Sequence, residues 1–161
     1  GTIMTNMGFT KFCDDNEIHF EATKVGDRYV LEEMLLEGYN FGGEQSGHVI
    51  FLDFSTTGDG QLTAAQLLSI LHRRNATLMT RYPQVMVNIQ VAPDGKLRFY
   101  TDTAVKEAIE RAKEKLGKNG RIVVRPSGTE PLLRVMLEGE DADYIAALAE
   151  TVANVIRERL A

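Results

Sequence analysis

The chain changes its hydrophobic rhythm several times, and each change predicts an element. Ile18, Phe20 and Ala22 alternate with polar residues, which predicts a strand. Asp27 then stands as an N-cap before a helix over 28–37, with Gly38 as its C-cap. Residues 39–48 are rich in glycine and polar groups and read as a loop. A short apolar run over 49–52 predicts a buried strand, and 55–60 a turn. Ala64, Leu67, Leu68 and Leu71 then recur at helical spacing, which marks an amphipathic helix over 63–74 with Thr63 as its cap.

The style changes near Tyr82-Pro83. Val85, Val87, Ile89 and Val91 alternate with Met86, Asn88 and Gln90 as a strand, and a turn follows at Pro93-Asp94-Gly95. Val105, Ala108, Ile109, Ala112 and Leu116 mark a helix ended by Gly117. The β-branched run Ile122-Val123-Val124, a Pro-bounded turn, and the alternation of Leu133, Val135 and Leu137 with Arg134 and Met136 predict an antiparallel hairpin. A last helix over 141–160 carries Ile145, Leu148, Val152, Val155 and Ile156 on one side, with acids at its start and Arg157 and Arg159 near its end, as the macrodipole favours. The reading is an α/β piece over 1–82 and a compact α+β domain over 84–161, an antiparallel sheet with two helices, with no internal repeat.

Composition narrows the partners. At 161 residues and 43% hydrophobic the chain can bury a core. Its 18 basic and 23 acidic residues, net -5, lack the basic field that nucleic acid or an anionic membrane would need, so any anion site must be local. Cys13, the single cysteine, cannot form an internal disulfide, no apolar stretch reaches the roughly 18 residues of a membrane span, and no signal segment opens the chain. The expectation is a soluble cytoplasmic protein.

Two loops concentrate chemistry. Arg125-Pro126-Ser127-Gly128-Thr129-Glu130-Pro131, with Arg134 beyond it, supplies forked cationic donors, small hydroxyls and a glycine open to backbone approach, which suits a phosphate. The same residues also suit an ordinary turn with two solvated arginines. In Gly42-Gly43-Glu44-Gln45-Ser46-Gly47-His48, an extended backbone would project Glu44, Ser46 and His48 to one side as an acceptor, a hydroxyl and an imidazole. That row suits a sugar ring, with His48 as the proton-transfer candidate, or else a surface turn with a satisfied histidine. Thr57-Gly58-Asp59-Gly60 lacks the spaced ligands of a calcium loop and reads as a turn and helix cap. Glu138, Glu140, Asp141 and Asp143 read as helix-start electrostatics.

Together the loops resemble a known family. Gly43 to His48 is similar to the sugar-binding loop, and Arg125 to Pro131 to the phosphate-binding loop, of the α-D-phosphohexomutase superfamily, in the same order and at a matching separation. Residues 23–30 and 57–60 are most similar to its bacterial branch that interconverts glucosamine 6-phosphate and glucosamine 1-phosphate toward cell-wall precursors. The resemblance covers essentially the whole chain: a partial domain III over 1–82, entered at a strand over 3–6, and a complete domain IV over 84–161.

What the resemblance implies is residue-specific. Glu44 and Ser46 hold sugar hydroxyls, His48 is an acid/base group, and Arg125, Ser127, Gly128, Thr129 and Arg134 clamp the phosphate that does not react. Gly26, Asp27 and Arg28 belong to a third substrate-facing loop. The family's phosphoserine and Mg2+ loops are missing from this sequence. The expectations are therefore an inert isolated chain that binds no catalytic Mg2+ and no other metal. Its partners would be a phosphosugar and the amino-terminal domains of its parent, with a homodimer left open, and a hinge near Tyr82-Pro83. Alternatives are phosphomannomutase or phosphoglucomutase specificity, or a stand-alone phosphosugar-binding module.

Overall fold

A computed structural model describes residues 1–72 and 79–161, which fall into two compact units, Gly1–Arg81 and Tyr82–Ala161. In the first unit, helix α1 (Met7–Asp15) begins at Asn6, whose side chain accepts from Gly8 N. Its mixed surface hid it from the periodicity. Phe9 on α1 meets Phe20 edge-on at 5.5 Å between centroids. Neither strand expected here forms. Residues 3–6 and 18–22 form no strand; beside them lies only an isolated parallel bridge between Thr2 and Thr23.

Helix α2 (Asp27–Glu37) follows Gly26, whose φ of 132° is costly for any side-chain-bearing residue. Asp27 is the first helical residue rather than the cap, and Gly38 ends the helix in the left-handed conformation, as expected. Val30 and Met34 pack with Ile50 in a small core. Strand β1 (Phe41–Gly43), inside the segment expected to be a loop, pairs antiparallel with β2 (Val49–Phe51). A Cβ at Gly42 would collide with the Met34 and Val30 side chains, so a larger residue there would force this small core to shift. Helix α3 (Gly60–Leu71) is capped by Asp59, which accepts from Gln61 N and Leu62 N, and not by Thr63. The expected helix end at Arg73 and Arg74 lies outside the described residues.

The second unit is a three-stranded antiparallel sheet in the order β3 (Gln84–Gln90), β5 (Leu132–Gly139), β4 (Gly120–Pro126). The turn expected at 93–95 runs straight into the short helix α4 (Gly95–Arg98). Helices α5 (Thr103–Leu116) and α6 (Ala142–Leu160) are capped by Asp102 and Asp141. Leu133, Val135 and Leu137 of β5 join Val105, Val152 and Ile156 in the core, where each fully buried side chain contributes roughly 1.5–3 kcal/mol. The alternation of β5 puts Leu132, Arg134, Met136 and Glu138 on the opposite face. The register there sets Asn88, Arg134 and Arg125 in one row and Gln84, Glu138 and Arg121 in another. Glu138 is fully buried with Arg121 Nε at 2.7 Å, so it serves the sheet rather than the start of α6. Among the described residues no helix is long and apolar enough to cross a membrane.

Candidate phosphate and sugar-binding loops

The β4–β5 connection is the anion-suited loop. Its ends are tied by Ser127 N donating to Leu132 O at 2.9 Å, and Val91 N donates to Pro131 O at 3.1 Å. Arg125 and Arg134 are direct cross-strand partners. Like charges so placed repel. Burial, and then Arg134, pull the Arg125 guanidinium below its ordinary pKa. The Nε atoms of both arginines are buried without an acceptor among the described residues. Glu130 Oε2 accepts from Arg134 Nη2 at 2.8 Å.

Ser127 is only 4% exposed, whereas Gly128 and Thr129 face solvent. A Cβ at Gly128 would meet nothing within 4 Å, so the fold itself does not require glycine there. One group escaped the sequence reading: Lys96 on α4 donates from Nζ to Ser127 O at 2.6 Å. Its only sequence signal was its place just after the Pro-Asp-Gly turn. The structure thus gathers Arg125, Ser127 and Arg134 around one loop and adds Lys96 and Glu130.

In the first unit, residues 44–48 form the tip of the β1–β2 hairpin, closed by Glu44 N donating to His48 O at 2.9 Å. Glu44, Ser46 and His48 do meet, through a tight turn rather than the extended backbone expected. Gly47, with φ of 101°, makes that turn. The Ser46 hydroxyl donates to Glu44 Oε1 at 2.6 Å, and His48 Nδ1 lies 3.2 Å from Ser46 Oγ and 3.5 Å from Glu44 Oε1. With that hydroxyl committed to Glu44, Nδ1 carries the proton in the neutral ring and the lone pair falls on Nε2. Glu44 Oε2 accepts from Gly26 N at 3.2 Å, so the glycine of the third loop contributes its backbone to the cluster. The Arg28 side chain turns to Glu32 Oε1 at 2.7 Å, a hydrogen bond that raises its pKa, and Asp27 Oδ1 accepts from Arg28 N.

A concavity of about 550 Å³ at the start of α5 holds none of the residues selected from sequence. Its arginines are paired, Arg159 with Asp102 and Arg98 with Asp94, both at 3.1 Å. Among the described residues no group of three His, Cys, Asp or Glu side chains is placed to hold a metal ion.

The family described as phosphoglucomutase/phosphomannomutase, alpha/beta/alpha domain III, matches residues 1–88, and that described as phosphoglucomutase/phosphomannomutase, C-terminal domain, matches 86–155. Over 165 aligned positions the chain is 47% identical to the phosphoglucosamine mutase of Clostridioides difficile (strain 630) and 50% identical to that of Caldicellulosiruptor bescii. Each alignment covers 99% of this chain, which spans 37% of the length of those relatives. Among solved structures, Aspergillus fumigatus N-acetylphosphoglucosamine mutase aligns with a TM-score of 0.81 at 20% identity, over 98% of this chain and 37% of that one. A phosphoglucomutase/phosphomannomutase family protein from Burkholderia thailandensis aligns at 0.71 and 18%, over 95% and 35%. At such identities these structures speak for the fold alone.

Proposed function

Because the chain belongs to the phosphoglucomutase/phosphomannomutase family, matching its domain III and then its C-terminal domain, we propose that it is the substrate-binding part of a phosphoglucosamine mutase. The parent enzyme would interconvert glucosamine 6-phosphate and glucosamine 1-phosphate in the cytoplasm. A phosphoserine outside this chain would carry the phosphoryl group, and a Mg2+ site, also outside it, would neutralise charge during the transfer. This chain alone would then be inert, and turnover of glucosamine 6-phosphate by it would refute that.

The observation that carries the proposal is the adjacent pair Arg125 and Arg134, each with a buried Nε lacking an acceptor among the described residues. A sheet gains nothing from opposing two guanidiniums across a register position unless an anion joins them. Ser127, Gly128 and Thr129 would complete the clamp on the phosphate that does not react, and such positioning is most of the protein's task in phosphoryl transfer. Glu44 and Ser46 would face sugar hydroxyls, Gly26 would hold Glu44, and Asp27 and Arg28 would border the sugar. His48 would exchange a proton with the reacting oxygen through Nε2.

Calorimetric titration with glucosamine 6-phosphate and inorganic phosphate separates the roles. Arg125→Ala should weaken both ligands by about 1.5–3 kcal/mol, the worth of a charge-assisted hydrogen bond. Glu44→Ala should weaken only the sugar phosphate. Equal losses of both ligands in both variants would reject this division. Substituting mannose 6-phosphate and glucose 6-phosphate as ligands of the parent enzyme tests the sugar.

A further inference from the structure

We propose that Glu130 is an internal competitor for the phosphate site, a specificity-determining carboxylate that occupies the clamp until a more highly charged anion displaces it. This rests on the reading of the β4–β5 loop as a phosphate site. Glu130 Oε2 accepts from Arg134 Nη2 at 2.8 Å and lies 3.5 Å from Ser127 Oγ. Both groups are among those the phosphate would use. Arg125, the other guanidinium of the pair, has no such carboxylate among its described contacts.

The local backbone is arranged for a side-chain exchange without loop movement. Glu130 N donates to Ser127 Oγ at 3.3 Å, and Glu130 O accepts from Leu132 N at 2.9 Å, so the peptide groups on both sides are held. Pro131 further restricts the residue before it to extended conformations. The Glu130 side chain is half exposed, at 52%, and can rotate into water. Only its torsions need change.

The consequence is selectivity by charge. A monoanion that replaces Glu130 exchanges one negative charge for another and gains little. A phosphate dianion satisfies Arg134 as fully and has charge left for Arg125. The carboxylate therefore lowers the affinity for every anion, but it excludes singly charged ones most effectively.

The test uses the whole chain, inorganic phosphate above pH 8 where it is dianionic, and acetate as a monoanionic competitor. Glu130→Gln keeps the side-chain length and removes the charge. Because exposed ion pairs are weak, phosphate binding should tighten about threefold to fivefold, and acetate should begin to compete. Without ligand, the variant should melt lower, with its arginine pair uncompensated, and the rise in Tm on adding phosphate should exceed that of the unsubstituted chain. Unchanged or weaker phosphate affinity in a folded Glu130→Gln chain overturns the competitor role and leaves the phosphate site standing. If neither chain binds phosphate, or if Arg125→Ala binds it as well as the unsubstituted chain, the site reading itself fails and takes this proposal with it.

Discussion

Lys96 shows how a single residue can fix a loop without belonging to its motif. Its ammonium donates to the Ser127 carbonyl at 2.6 Å, next to two arginines, so three cations converge on one short turn. A third positive group beside the two arginines would be unfavourable there, but Lys96 directs its charge at a backbone dipole. This fixes the peptide that carries Ser127, whose hydroxyl in turn accepts from Glu130 N at 3.3 Å. Lys96→Met removes a charge-assisted hydrogen bond worth about 1.5–3 kcal/mol and keeps the aliphatic stem. The expected result is a drop in Tm of several degrees, on a scale of roughly 4–8 °C per kcal/mol for a unit of this size, together with weaker phosphate binding. Lys96→Arg, which can still reach the carbonyl, should recover much of the affinity. A lower Tm with unchanged phosphate affinity in Lys96→Met would assign the residue to stability alone.

Strand β5 is the element on which both faces of the second unit depend. One face supplies Leu133, Val135 and Leu137 to the core, and the other carries Arg134, Met136 and Glu138 through successive cross-strand rows. Removing the buried carboxylate takes the 2.7 Å ion-pair partner from Arg121, so Glu138→Ala should cost about 3 kcal/mol in chemical denaturation. Arg121 is partly exposed, which keeps the cost at the low end of such losses. The paired change Arg121→Met with Glu138→Met should recover most of it, and a loss under about 1 kcal/mol for the single variant would refute the role. This strand also shows how far the sequence could be read. Its alternation identified the hairpin and the proximity of the two arginines, because a two-residue period is a local signal. It did not identify Glu138 as buried, since burial on that face depends on Arg121 and Gln84 from neighbouring strands. Helix α1 and strand β1 were missed for a related reason. The helix is short and mixed in polarity, and Phe41-Gly42-Gly43 resembles a loop until Met34 and Val30 are known to pack against it. The cluster of Glu44, Ser46 and His48 was legible as residues, but its contact with Gly26 spans two loops and left no trace in spacing.

At the scale of the whole molecule, α3 is the feature that the chain does not resolve by itself. Its apolar spacing predicts a face for a core, yet none of its residues is buried, and Leu67 and Leu68 are 50% and 66% exposed. Ile70 and Leu71 are similarly open. Contiguous apolar surface of this kind is uncommon on a self-sufficient domain and marks a surface that a partner covers. In the proposed mutase reading that cover would be polypeptide of the parent enzyme; the chain spans 37% of the length of its relatives. Without it, copies of the chain should cover one another. Sedimentation of the chain at increasing concentration should show reversible self-association, and Leu68→Glu, which places a charge in the middle of the stripe, should return it to a monomer. Phosphate affinity provides the control, because the β4–β5 loop lies in the other compact unit and should bind equally well in the variant. A chain that stays monomeric across the concentration series would show that the exposed stripe is tolerated without a partner. Self-association that survives Leu68→Glu would place the contact elsewhere.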